Sequence, residues 1–240
     1  LGDVYKRQLF YLLLACTGPA DAHLDIDLTP EYDDSYAAEL EPYAPRGLKV
    51  SYLSSVAIQI SRDGVYDGSG SGNYFRLGKH RFILTASHVV EGEAEILIVE
   101  KGHYTTSAKV VYIDPYSDLA VLVPDERLHY TKAIRFRRDI NNQMGERTYH
   151  CGHPAREGWH ISEGLLTGTH FDTLLVNTFA WPGSSGSVLF DEGGRVLGVL
   201  SAIRIDGPFI TPALVEHVVL AGNIKMLDQS TLKAVLRNGK

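Results

Sequence analysis

An all-β fold is what the 240-residue sequence predicts, on two observations. Short runs of β-branched and aromatic residues recur from Gly47 onwards, each too brief for a helix. Twenty-three glycines punctuate them, and glycine is the residue that tight turns between strands demand. Hydrophobic content of 44% and charged content of 22% are ordinary for a globular chain with ample core. The net charge of −6 offers no footprint for nucleic acid or an anionic membrane. Two cysteines, Cys16 and Cys151, cannot build a disulfide scaffold.

The chain does not begin with Met, and residues 1–8 (LGDVYKRQ) resemble a translated adaptor scar. They are set aside from fold reasoning, and the true N-terminus is expected to be missing. Residues 9–16 carry an apolar run, too short to span a bilayer and of the length of a signal-peptide core. It ends in Leu13-Leu14-Ala15-Cys16, which resembles a bacterial lipobox and makes Cys16 the candidate lipidation site. A plain secretory signal cut near Ala15 or Ala20, or a buried apolar segment, fits the same residues. Both processed routes place the protein in the cell envelope or outside the cell. Residues 17–45 are acidic, proline-dotted and aperiodic, as expected of a flexible tether.

From Gly47 short strands are expected. Val56-Ala57-Ile58-Gln59-Ile60 is the first. Gly68-Ser69-Gly70-Ser71-Gly72 then leads through Tyr74-Phe75-Arg76-Leu77 and a Gly78-Lys79 turn into Phe82-Ile83-Leu84-Thr85. That glycine-rich stretch lacks the Lys-Ser/Thr ending of a phosphate loop, so a hairpin with a close backbone approach fits it better. His88 follows the apolar Ile83-Leu84-Thr85 run and a turn of small residues. Strands are expected over 95–100 and 108–113. Asp114 then falls on a turn, where capping is its natural role, and Asp118 at the start of Leu119-Ala120-Val121-Leu122-Val123.

Residues 149–168 carry His150, His153 and His160, with His170 just after. No cysteine pair or His-Glu-x-x-His helix accompanies them, so a metal site is not expected. Cys151 reads as a small buried hydrophobe. Next comes Trp181-Pro182-Gly183-Ser184-Ser185-Gly186-Ser187 before Val188-Leu189-Phe190. A serine between glycines on a tight turn is where a chain can expose a hydroxyl nucleophile. Such a turn can aim the Gly183 and Ser185 amides at one oxyanion. Asp191-Glu192-Gly193-Gly194 reads as a hairpin loop and 195–201 as the returning strand. Thr211-Pro212 resembles an N-cap and first helical residue, predicting a helix over 213–220. A last amphipathic helix is expected from Ser230 to Arg237.

His88, Asp118 and Ser185 each lie at the edge of a strand. A serine nucleophile needs a base, and an imidazole base needs an acid to hold its tautomer. With these residues in this order, "LTASHVV", "DPYSDLAVL" and "PGSSGSVLFDEGGRVLGV" resemble trypsin-like serine peptidases of the chymotrypsin fold. The bacterial HtrA/Deg and glutamyl-endopeptidase branch is the nearest in look, supported by "GSGSG", "GHP" and "SEGLLTG". The resemblance runs from about Val56 to Pro212.

It implies two packed six-stranded antiparallel β-barrels with the triad in the cleft between them, followed by short C-terminal helices. Residues 46–225 would be the peptidase domain and 226–240 a helical tail, with no PDZ domain expected. The activity implied is peptide-bond hydrolysis through an acyl-enzyme, without cofactor or metal, on a protein or peptide substrate. Membrane contact would come only through a Cys16 anchor. Two departures from the family pattern bear on the oxyanion site: Ser184 stands where Asn or Asp is usual, and Ser187 replaces the second glycine of Ser-Gly-Gly. By the same resemblance Phe179, six residues before the nucleophile, lies near the base of the S1 pocket. Ser201, Ala202 and Ile203 form its wall, with Ile203 replacing a glycine. No carboxylate is placed to meet Arg or Lys, so a shallow neutral pocket for small or medium apolar P1 residues is expected. Two rivals are kept. A catalytically silent peptide-binding scaffold on the same fold would bind peptide without turnover. A histidine-rich metal-binding envelope protein would take up zinc stoichiometrically.

Overall fold

Two closed barrels carry the chain in the computed structural model, which describes residues 40, 43–92, 94–102, 104–154, 158–206 and 213–238, with 203–206 and 213–218 as backbone. The first half supplies β1 (Ser55–Arg62), β2 (Val65–Leu77), β3 (His80–Thr85), β4 (Glu95–Val99), β5 (Thr105–Asp114) and β6 (Leu119–Pro124). They pair in the order β1-β4-β5-β6-β3-β2, and β2 returns to β1 to close the ring. The short β7 (Ile134–Arg135) adds to β2 in parallel. The second half supplies β8 (Arg147–Gly152), β9 (His160–His170), β10 (Thr173–Asn177), β11 (Val188–Phe190), β12 (Val196–Asp206) and β13 (Ala213–Asn223). Their order is β10-β13-β12-β11-β8-β9, closed by the β9–β10 pairing. The two six-stranded antiparallel barrels are those the resemblance implied.

The runs Phe82-Ile83-Leu84 and Leu119-Ala120-Val121-Leu122 are continuously apolar because β3 and β6 are buried on both faces. Ile83, Ala120 and Leu122 fill the first barrel with Ile58, Tyr74 and Ile98. Phe82, Leu84, Leu119 and Val121 point the other way, into a core shared with Val188, Phe190, Val196 and Val199 of the second barrel. Phe75 stacks on Phe82 with ring centroids 5.6 Å apart and meets Phe190 at 6.0 Å. The strands that end at the cleft are thereby held from both sides.

Two expectations fail. Residues 213–220 form no helix; they belong to β13, which pairs with both β10 and β12. Thr211-Pro212 lies outside the described residues. Without this strand the second barrel would stay open, and its β-branched and alternating residues, with Val219 and Ala221 buried, outweigh the local helix-start signal. Residues from Gly47 do not start a strand either. Helix α1 (Arg46–Ser54) occupies them and lies across the second barrel. Its buried residues are Gly47, Ser51, Tyr52 and Ser54, mostly small and polar, so no apolar stripe announces it.

The C-terminal helix forms as expected, as α2 (Gln229–Asn238). Asp228 caps it, one oxygen accepting from the amides of Ser230 and Thr231 at 3.0 Å each. Leu232 and Leu236 enter the core between the barrels. Among the described residues no helix is long and apolar enough to cross a membrane.

Candidate active site

β3 and β6 are antiparallel partners with Thr85 opposite Ala120. The turn that leaves β3 and the turn that enters β6 therefore meet at one end of the first barrel. His88 sits in the first, a 3-10 turn over Ser87–Val89, and Asp118 in the second. His88 Nδ1 lies 2.7 Å from Asp118 Oδ2. The other carboxylate oxygen accepts from the Ser87 hydroxyl at 2.7 Å and the His88 amide at 3.0 Å. The Ser201 hydroxyl also donates to Oδ2. Asp118 takes up these bonds with a left-handed backbone, φ 51°, a conformation that aspartate tolerates better than most residues. Burial by itself would raise its carboxyl. The bonds from His88 and Ser201 and the attraction of the imidazole more than offset this and hold it at about 2. A carboxylate at Nδ1 keeps a hydrogen there and leaves the lone pair on Nε2. That Nε2 is buried and has no hydrogen-bond partner among the described residues.

Two consecutive turns shape the serine segment. Pro182 and Gly183 take the second and third places of the first, closed by the Ser184 amide on Trp181 O at 2.8 Å, with Gly183 at φ 98°. Pro followed by a residue of positive φ defines a type II turn. The Gly183 amide belongs to the central peptide, which a type I turn would flip to the opposite face. Ser185 and Gly186 take the same places in the second turn, closed by the Ser187 amide on Ser184 O at 3.0 Å, with Gly186 at φ 89°. The Ser184, Gly186 and Ser187 amides are thus committed, the Gly186 amide to Leu200 O at 2.8 Å. Among the described residues, those of Gly183 and Ser185 have no acceptor.

The first barrel meets this turn at van der Waals distance. A Cβ on Gly70 would lie 2.6 Å from Val89 Cγ1 and 3.0 Å from Ser185 O, so only glycine lets β2 pass between the histidine turn and the serine. One on Gly186 would overlap Ser71 O and come within 3.2 Å of the Ala86 amide. The Ser71 amide donates to Ser185 O at 2.7 Å, and its hydroxyl to Gly183 O at 2.7 Å. Ser185 is half-buried, and no hydrogen bond joins its hydroxyl to His88 Nε2.

Ser184 is accommodated in the motif, whereas Ser187 leaves a buried hydroxyl with no hydrogen-bond partner among the described residues. Ser184 closes the first turn from two sides, its hydroxyl accepting from the Trp181 amide at 3.2 Å. The Ser187 hydroxyl fills space that a Cβ on Gly152 would occupy. Phe179 and Trp181 are 53% and 47% exposed, while Thr178 and Ala180 between and before them turn inward. The two aromatic rings are thus the exposed side chains of the segment leading to the serine. Ser201 and Ala202 are half-buried on β12, and the Ile203 side chain and Cys16 lie outside the described residues.

The histidines scatter. His150 is buried, its Nε2 3.1 Å from Phe179 O, and desolvation lowers it to about 4. His153 packs edge-on against Trp159, and His170 against Phe171. The cluster of ligand-type side chains among the described residues is Asp139, Glu146 and Asp191, with no histidine in it, and Arg195 pairs with both aspartates. Cys151 is buried and desolvation pushes its thiol up to about 11, as an inert core residue requires. The roles of Ser87, Ser201 and Ser71 were not anticipated from sequence. For Ser87 and Ser201 the one signal is a small hydroxyl residue beside or inside an otherwise apolar strand, and for Ser71 its place in the glycine-rich stretch.

A His–Asp pair on one six-stranded barrel and a glycine-flanked serine on a second define the class of two-barrel serine peptidases. The chain belongs to that family: residues 70–199 match the trypsin-like peptidase domain. HtrA/DegP-like serine proteases are among its homologues. The chain is 27% identical over 140 residues to a probable periplasmic serine endoprotease, DegP-like, of Bartonella henselae, covering 55% of this chain and 28% of the relative. It is 27% identical over 158 residues to the serine protease Do-like HtrA of Bacillus subtilis, covering 59% and 35%. The chain thus spans about a third of the length of these relatives. Among solved structures, a serine endoprotease from Yersinia pestis superposes with a TM-score of 0.63 at 22% identity, over 81% of this chain and 66% of that one. The HtrA-type protease AlgW with tripeptide gives 0.63 at 20% identity, over 81% and 64%. At these identities the superpositions show the shared fold.

Proposed function

We propose that the protein is a serine endopeptidase in which Ser185 attacks the scissile carbonyl. His88 Nε2 takes the serine proton and returns it to the leaving amine; it then activates the water that releases the acyl-enzyme. Asp118 keeps Nδ1 protonated and stabilises the imidazolium that forms. The Gly183 and Ser185 amides hold the oxyanion, a contribution of about 10²–10³ in rate per donor. No cofactor or metal enters these steps. The observation that carries this is the 2.7 Å His88–Asp118 contact, which leaves a buried, unpartnered Nε2 lone pair beside the serine turn. The missing Ser185–His88 hydrogen bond accords with free peptidases, in which such contacts tighten on substrate binding.

The substrate is a protein or peptide, with small or medium apolar P1 residues preferred. The Ser201 hydroxyl is engaged with Asp118, so this wall of the S1 pocket offers substrate its backbone. Phe179 and Trp181 add apolar surface at the entrance. Profiling a peptide library tests this; dominant cleavage after Arg, Lys or Glu overturns it. Residues 46–225 form the peptidase unit, and 226–240 the helical tail. The protein works outside the cytoplasm, the setting that the Bartonella relative's name gives for that protein. Cys16 is the lipid attachment point, and mass spectrometry finding an unmodified Cys16 in the membrane fraction would overturn that. The decisive experiment is labelling with a fluorophosphonate probe. Labelling of the wild type that is lost in Ser185→Ala and His88→Ala is expected. No labelling of the folded wild type would instead mark a silent peptide-binding scaffold.

A further inference from the structure

β2 reaches across to the serine segment with two side chains on one face, Ser71 and Asn73. Ser71 holds the stretch before and at the nucleophile, as described. Asn73 holds the stretch after it: the Val188 amide donates to Asn73 Oδ1 at 3.0 Å. The same side chain has a second set of partners. Its Nδ2 donates to Ser51 O at 3.0 Å and to Ser54 Oγ at 2.8 Å, both on α1. An amide N–H can only donate and a carbonyl oxygen only accept, so these partners dictate which end of the Asn73 amide faces which element. Asn73, Ser51 and Ser54 are all fully buried. No other short side chain offers an acceptor and two donors at once, and glutamine is one methylene too long for the gap.

α1 is tied to the second barrel independently. The Gly47 amide donates to Glu192 O at 3.0 Å, in the loop after β11, and a Cβ on Gly47 would overlap Asp191 O. The Ser54 hydroxyl is itself oriented by Val50 O at 2.7 Å. The helix that joins the N-terminal region to the first barrel thus straps the strand that carries the nucleophile's C-terminal flank. We infer that Asn73 is a positioning residue: it couples the docking of α1 to the placement of Ser185, so the seating of this helix governs turnover. The inference rests on the serine-peptidase function proposed above.

The test compares wild type, Asn73→Ala, Asn73→Asp and Ser54→Ala, each well below its own melting temperature. Asn73→Ala removes both arms. Asn73→Asp keeps the acceptor for Val188 and loses the donors to α1; Ser54→Ala removes one α1 partner only. The expected result is a fall in kcat and in the fluorophosphonate labelling rate of about 10- to 100-fold for Asn73→Ala. Smaller falls are expected for the other two, with KM within about twofold throughout. A purely structural asparagine would lower the melting temperature and leave kcat in place, and that outcome overturns the inference. Hydrogen exchange gives a readout that does not need activity. Faster exchange in a peptide covering 184–190 is expected in Asn73→Ala, or in Asn73→Asp if the alanine variant does not fold; unchanged protection overturns the inference. A wild type that is folded yet never labelled would refute the peptidase function, and the exchange experiment would then decide the coupling alone.

Discussion

A carboxylate that accepts four hydrogen bonds does more than balance charge. Asp118 receives the Ser87 hydroxyl, the His88 amide, His88 Nδ1 and the Ser201 hydroxyl; three of these fix the carboxylate, and the fourth fixes the imidazole against it. In Asp118→Asn an amide N–H2 faces these donors and the Nδ1 hydrogen loses its acceptor. We expect kcat to fall by about 10³–10⁴ with the fold intact, measured on a peptide substrate beside a circular-dichroism melt. The same carboxyl sets an acid limit. Its folded pKa, about 2, is below its ordinary value of 3.8. The stabilisation is therefore complete above about pH 4 and is lost as the pH falls towards 2. His150 acts in a higher window. It is held near 4 against an ordinary 6.5, so the unfolded chain takes up its proton first and stability declines as the pH drops from 6.5 to 4. Denaturant melts across this range should flatten in His150→Gln. The His88–Asp118 contact was legible from sequence, because a nucleophile proposed at Ser185 needs a base and that base an acid. The bonds from Ser87 and Ser201 were not, since hydroxyl bonds to a residue 31 and 83 positions away leave no local pattern.

At the scale of the element, the proposed function rests on the paired turns of 181–187. Positive φ at Gly183 sets the face on which its own amide emerges. Gly183→Ala would favour the flipped, type I arrangement and take one donor from the proposed oxyanion site. Turnover should drop about 10²–10³-fold, with KM little changed and Ser185 still present for slow labelling. Steady-state kinetics and labelling rates on one preparation check it. Pro-Gly and Ser-Gly made these turns readable in advance, as the Gly78-Lys79 hairpin and the close approach of the GSGSG strand were. α1 and β13 were not readable, for opposite reasons. α1 buries glycine and hydroxyl side chains instead of an apolar stripe. The 213–223 stretch followed a sound helix-start signal, but its edges were needed by β10 and β12. Local preference yields where a barrel must close.

Across the whole molecule the two barrels share their largest core, and α2 seals it with Leu232 and Leu236. Leu232→Ala should cost about 2–5 kcal/mol. It should shift the unfolding of both barrels together, with labelling of Ser185 lost in the same transition. Two separate transitions in denaturant would show that the barrels are energetically independent. The two-barrel plan itself could be anticipated only through family resemblance, because strand spacing says how many strands there are and not how they close. One contact has a consequence in time. Asp118 is complete only when Ser201 reaches it, and a Cβ on Gly222 would overlap Ser117 O, next to that aspartate. A ribosome adding about 5–20 residues per second needs on the order of ten seconds to make the 83 residues between Asp118 and Ser201. Throughout that interval the finished first barrel holds a histidine and an aspartate with nothing to act on. On the proposed mechanism, the growing chain is safe from its own chemistry until its last strands emerge.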